Sequence, residues 1–347
     1  MKKLSHISVR LLASVMLLAA TALGTAVLTS AKRSTPRQGE LRTATYTYTG
    51  GVTDGKQNGY GVCRYTNGNT YYGYWNMGYK EGLGRLEFAD GTIDFGRWNH
   101  GTLAKKKGQK FNSGIKVYGI DVAKYQKTID WENLSLRASA DGTVSSTAKN
   151  GSYLQPVLFA LIKSTEGTTI RDPQFERNFS EAKRCGIIRG AYHFLNSHVP
   201  AEAQAKYFIA NTPLEAGDLP PVLDLEIPKK VMKRDHKKIV SMALEWLRYV
   251  ERHYGVKPIV YTYESYYKDY LHGHGFDNYD FWIARYGKQP SARHWEIWQF
   301  TDKGNATGIN HAVDIDLFRG NFHDLRQYVK QKGLTRTPPR HTVKRQK

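Results

Sequence analysis

The sequence predicts an α/β fold: a closed, mostly parallel barrel of eight strands and five helices, preceded by a small all-β module. Three observations predict it. From Val117 onward, short apolar runs alternate with helical patterns, which is the grammar of a parallel sheet. Helical patterns follow only the first five of these runs, so the last third departs from strict alternation. Upstream, residues 48–101 repeat with a period of 23, the mark of stacked similar units.

The candidate strands, in order, are VYGIDV (117–122), PVLFALIK (156–163), IIRGAYHF (187–194), PVLDLE (221–226), KPIVYTY (257–263), YDFWIAR (279–285), WEIWQF (295–300) and AVDIDLF (312–318). Helical patterns fall at 173–185, 200–211, 235–254 and 264–272, with a shorter one near Trp131. The 235–254 segment is the clearest. Ile239, Ala243, Trp246, Leu247, Val250 and Tyr254 form one apolar stripe, and Gly255 stops it. Together these elements read as a TIM-like barrel over 117–328. The polar segment 136–153 reads as an inserted surface loop.

In the upstream repeat, YTGGVTDGKQNGYGVCRYTNGNT (48–70) lies in register over YYGYWNMGYKEGLGRLEFADGTI (71–93). Gly50, Gly55, Gly59, Gly61 and Gly68 recur as Gly73, Gly78, Gly82, Gly84 and Gly91. Each unit reads as a short β-hairpin with glycines at tight turns and aromatics on one face. The pattern resembles the MORN repeat. That resemblance implies a contact surface for a membrane or another protein; a cap docked on its neighbour fits the sequence equally well. We bound this MORN-like module at 46–103, followed by a basic, glycine-punctuated linker at 104–116.

The formal net charge of +20 points to an anionic polymer partner. No zinc-finger, recognition-helix or RNP-type pattern accompanies it, so cell wall is expected rather than nucleic acid. Part of the charge sits in a basic tail, 329–347, expected to be disordered. At the other end, Lys2, Lys3 and Arg10 precede the uncharged run LLASVMLLAATALGTAVL (11–28). Residues 1–31 read as a signal peptide or a retained membrane anchor, which places the rest of the chain in the cell envelope or outside the cell. Cys63 and Cys185 fall in different domains without metal-ligand or thiol-enzyme company, and read as packing residues.

The most informative stretch is LPPVLDLEIP (219–228), where Asp224 and Glu226 interrupt an apolar strand. Side chains alternate along a strand, so Leu223, Leu225 and Ile227 share one face and the two acids share the other. That face points into the barrel near the strand's carboxyl end, where barrel enzymes hold their chemistry. Two strand steps separate the acids by roughly 6–7 Å at the backbone. A neutral acid beside an ionised one suits glycosidic cleavage: one protonates the leaving oxygen while the other stabilises the positive sugar. Asp121 and Asp314 occupy similar strand-end positions. Tyr192, Tyr261, Trp282, Trp295 and Trp298 lie in or beside strands, as sugar platforms or as core.

Six ordered motifs now make the chain recognisable: YGIDVAKYQKTIDW (118–131), FALIKSTEG (159–167), IIRGAYHF, PPVLDLE (220–226), WEIWQFTDKG (295–304) and AVDIDLF. Over about 117–328 the chain resembles glycoside hydrolase family 25, the muramidase-type lysozymes. The resemblance implies a barrel of eight strands and five helices. It also implies cleavage of the β-1,4 bond between N-acetylmuramic acid and N-acetylglucosamine in peptidoglycan glycan strands. Carried over, Glu226 is the general acid and Asp224 stabilises the transition state, through the substrate's own N-acetyl group or directly. Asp121 and Asp314 line the same pocket, while Tyr192, Tyr261, Trp282 and Gln299 bind substrate. No metal or organic cofactor is implied. The family usually has Asn where Asp316 stands, so Asp316 is expected to add negative charge near the site. The alternatives are a non-catalytic wall-binding protein and a scaffold driven by the repeats. A missing acid would mark the first, and none of the four is missing.

Overall fold

A computed structural model describes residues 36–105, 115–145, 153–292 and 294–336; the export segment expected at 1–31 and the end of the tail lie outside them. The repeats form a seven-stranded antiparallel meander: β1 (Arg37–Arg42), β2 (Tyr46–Thr53), β3 (Lys56–Tyr65), β4 (Thr70–Asn76), β5 (Tyr79–Glu87), β6 (Ile93–Asn99) and β7 (Thr102–Leu103). The sheet therefore begins before the boundary expected at 46. Gly39, Gly50, Gly61, Gly73, Gly84 and Gly96 pair in one row across it. The row leaves room for tyrosine rings. A Cβ on Gly61 would lie 2.3 Å from the Tyr48 hydroxyl, and one on Gly84 would lie 2.1 Å from that of Tyr71. These hydroxyls donate to Gly51 O (2.8 Å) and Tyr74 O (3.2 Å), satisfying the buried polar atoms.

The barrel strands are β8 (Tyr118–Val122), β11 (Phe159–Glu166), β13 (Ile188–Phe194), β14 (Val222–Asp224), β15 (Ile259–Tyr263), β16 (Phe281–Ala284), β17 (Trp295–Gly304) and β19 (Val313–Phe318). The first seven run parallel in that order. β19 is antiparallel to both β17 and β8, and the β8–β11 pairing closes the ring. The expected closed, mostly parallel barrel with a modified last third is what the chain forms. β9 (Ser135–Ala138), β10 (Tyr153–Pro156) and β18 (Ala306–Thr307) make a small side sheet, and β12 (Ile170–Arg171) folds back on β11. The segment expected as a polar surface loop thus starts as a strand with Leu136 and Ala138 buried.

Helices α1 (Phe175–Arg184), α2 (Ala201–Asn211), α3 (Lys229–Tyr254) and α4 (Glu264–Tyr266, continued as a π-turn over Tyr267–Leu271) follow strands as expected. The element near Trp131 is a single 3-10 turn. The fifth α-helix is instead α5 (Phe322–Lys332). It corrects the boundary drawn at 328, because Val329 and Leu334 are buried in what read as a disordered tail. Asn321 and Asp324 form a capping box that starts it.

Strand residues alternate between two apolar layers. Leu223, Leu225 and Ile227 join Phe208 of α2 and Trp246 of α3 in the outer layer. Val222, Leu161, Ile259 and Ile297 fill the interior. The repeat sheet docks on the barrel's amino-terminal end, where Ile93 and Phe95 meet Phe159, Phe318 and Phe322. Arg85 Nη2 donates to Gly186 O (2.5 Å) and the Tyr74 hydroxyl to Glu132 Oε2 (2.7 Å). The cap reading of the module is therefore realised in the fold, at the end away from the strand-end acids.

Candidate active site

At the carboxyl end of β14 the alternation places Asp224 inward, and Glu226 follows on the same side. Asp224 is 5% exposed while Glu226 is partly exposed, so Glu226 lies nearer the mouth. Their carboxyls hydrogen-bond to each other. Burial raises Asp224 well above the ordinary carboxylate range, and the adjacent Glu226 adds to the rise. Burial also raises Glu226, while its hydrogen bonds to Asp224 and Tyr263 and the nearby Lys163 pull it back. The two act as a pair sharing a proton, because two buried carboxylates in contact resist double ionisation. Asp224 Oδ1 is buried without a protein hydrogen-bond partner.

A second cluster lies alongside. Asp121 on β8 pairs in register with Asp314 on β19, and Asp316 with Gln299 of β17. Gln299 Nε2 donates to Asp121 Oδ2 (2.8 Å), while its Oε1 accepts from the hydroxyls of Tyr261 (2.9 Å) and Tyr286 (3.1 Å). This fixes the amide's orientation. Asp121 is raised well above its ordinary range by burial and by Asp314 and Asp316. Asp314, less buried, is pushed up to about 6, chiefly by burial. The structure thus brings Asp121, Asp314, Gln299 and Tyr261 together with the Asp224–Glu226 pair, since Tyr261 lies in the field of both acids.

Two expectations change. Asp316 is fully buried and accepts from Trp282 Nε1 (2.8 Å); burial raises its carboxyl well above the ordinary range, which works against the negative charge expected there. Trp282 is 1% exposed and packs between Tyr261 and Tyr192, with ring centroids 4.2 and 6.1 Å away. Its indole holds Asp316 and presents no face to a sugar. Tyr192 and Tyr261 are also largely buried and line the interior.

The exposed aromatics at the mouth are different ones: Tyr263 (39% exposed) and Tyr286 (44%). Tyr263 was legible, because it lies two residues beyond Tyr261 on the same strand face. Lys163 shares a face with Leu161 by the same rule; its amine pairs with Glu166 Oε2 at 2.8 Å. Tyr286 follows β16 and carried no periodic signal. On the opposite face of β13, His193 bonds Thr165 Oγ1 (2.8 Å) and Gln204 Oε1 (3.1 Å), stacks on Trp246, and is lowered to about 4 by burial. Its role is structural. Cys63 and Cys185 are free, buried thiols.

Known proteins share parts of this chain's sequence and fold. Residues 120–309 match the model for glycosyl hydrolases family 25, and residues 48–70 and 71–93 each match the MORN repeat. Protein YegX of Escherichia coli K12, described as uncharacterized, is 36% identical over 225 residues, covering 64% of this chain and 76% of YegX. Lysozyme M1 of Streptomyces globisporus is 29% identical over 231 residues, covering 62% of this chain and 71% of the lysozyme. Among solved structures, the bacterial lysozyme from Streptomyces coelicolor superposes with a TM-score of 0.51 at 27% identity, covering 63% of this chain and 98% of that one.

Proposed function

We propose, from the premise that this chain belongs to glycosyl hydrolase family 25 and is a glycoside hydrolase, that it is an exported N-acetylmuramidase acting on peptidoglycan. The observation that carries the reading is the hydrogen-bonded Asp224–Glu226 pair on the inner face of the barrel. Glu226, the more accessible acid, protonates the glycosidic oxygen of the bond between N-acetylmuramic acid and N-acetylglucosamine. The hydrogen bond between the carboxyls carries the shared proton to Glu226 as bound glycan excludes water from the groove. Asp224 is then left ionised. Its unpartnered Oδ1 receives the N–H of the substrate's acetamido group, turning that group's oxygen toward the anomeric carbon.

Asp121, Asp314 and Gln299 orient the adjoining sugar and hold the local charge low. Tyr263 and Tyr286 supply exposed rings for its C–H faces. The segment at 1–31 delivers the enzyme to its polymer, which the mass of the mature N-terminus tests. Purified peptidoglycan is expected to lose turbidity with the wild type and not with Glu226→Gln. Equal clearing by both proteins rules out the assignment of Glu226.

A further inference from the structure

We propose that the first turns of α3 form a cationic ridge that grips the carboxylates of the peptide stems borne by the glycan strand in the groove. The proposal deepens the peptidoglycan reading and rests on it. Lys229, Lys230, Lys233, Arg234, Lys237 and Lys238 are all exposed. The single acid among residues 229–238 is Asp235, which pairs with Arg234 at 2.8 Å. Among the described residues the five lysines have no ion pair.

This arrangement works against the helix that carries it. Lys229, Lys233 and Lys237 follow one another in steps of four, as do Lys230, Arg234 and Lys238. Like charges at that spacing repel. Lys229 and Lys230 also occupy the positive end of the helix dipole, in a first turn that has no acid. The backbone leaves helical geometry at Asp235 (φ −114°, ψ 24°). Over this stretch the fold takes up Met232, with Val231 and His236 half-buried beside it and Ile239 just beyond; none of the lysines is buried. The charges thus serve no packing role, and an anionic partner is what offsets them.

Position identifies the partner. Pro228 caps the helix directly after the site, so Lys229 lies three residues from Glu226, at most about 11 Å along the chain. The ridge starts at the mouth and runs about 14 Å along the helix, at 1.5 Å per residue. A glycan strand leaving the groove passes it, and each muramic acid unit carries a peptide with free carboxylates.

The test reads adhesion alone, in the full chain carrying Glu226→Gln, by co-sedimentation with insoluble peptidoglycan. A ridge variant adds Lys229→Gln, Lys230→Gln, Lys233→Gln and Lys237→Gln. It is expected to bind intact peptidoglycan about tenfold more weakly at low salt, with the gap closing near 1 M salt. On glycan stripped of its stems by an amidase the two proteins are expected to bind alike. Equal binding on intact material overturns the proposal. So does a gap that persists on stem-free glycan, or one that vanishes once acid has removed phosphate polymers and left the stems. The variant's melting temperature is expected to match or exceed the parent's; a fall would mean that the charges serve the fold, and would also overturn the proposal. Failure of the wild type to clear peptidoglycan would instead sink the hydrolase reading, which this binding measurement does not share.

Discussion

The repeat sheet and the barrel bury different polar groups, tyrosine hydroxyls in one and carboxyls in the other. In the sheet, Tyr48 and Tyr71 are fully buried, and each hydroxyl donates to a backbone carbonyl three residues on. In the barrel, Asp121, Asp224 and Asp316 are buried together, and Asp224 and Asp316 each leave one oxygen without a protein partner. A polar group buried without a partner costs free energy; the sheet keeps one, Trp75 Nε1, while the barrel gathers two such carboxyl oxygens around the candidate site. The sheet is built for its own stability and caps the barrel; the barrel carries unmet bonding at its mouth.

The sharpest way to break that contrast is at Glu226. Glu226→Gln is expected to lower the rate of wall hydrolysis by about 10²–10⁴ with little change in melting temperature. A variant that unfolds, or one that keeps full rate, would erase the distinction. Tyr71→Ala is the converse. Deleting a buried ring is expected to cost about 3–5 kcal/mol in denaturant unfolding, with the rate per folded molecule retained.

A subtler difference appears with pH. Folded Asp314 holds its proton up to about pH 6, whereas the unfolded chain releases it near the ordinary carboxylate value. The folded state therefore binds more protons between about pH 4 and 6 and loses stability as pH rises through that window. Asp314→Asn is expected to remove about 1–3 kcal/mol of this fall, read as the difference between variant and wild-type melting curves. His193, lowered to about 4, contributes with the opposite sign, but it does so in both proteins and cancels in the difference. The smallest effect is expected at a repeat tip. Met77 sits at φ 46° beside Gly78, and Met77→Asn is expected to stabilise by about 0.5–1 kcal/mol without touching activity.

Much of the site was legible because strand alternation is a local rule. It placed Asp224 with Glu226 and set Leu223 and Leu225 against the helices. Applied one step further, it also reaches Tyr263 and Lys163. The start of α5 was legible too, in Asn321 and Asp324 with the apolar Phe322, Leu325, Tyr328 and Val329. The basic composition of the segment obscured it. Trp282 was not legible as a buried brace, since an aromatic on an inward face reads alike whether sugar or side chain covers it. Tyr286 entered from a loop with no period.

The sequence by itself determined the register of the repeats, the order of the barrel strands and the face on which each acid stands, because these follow from spacing along one chain. The tertiary structure alone decided how deep each acid lies, that Asp224 sits beneath Glu226, and that Asp316 is buried against Trp282. Depth and proton affinity depend on which distant strands close over a side chain, and on how much water they exclude.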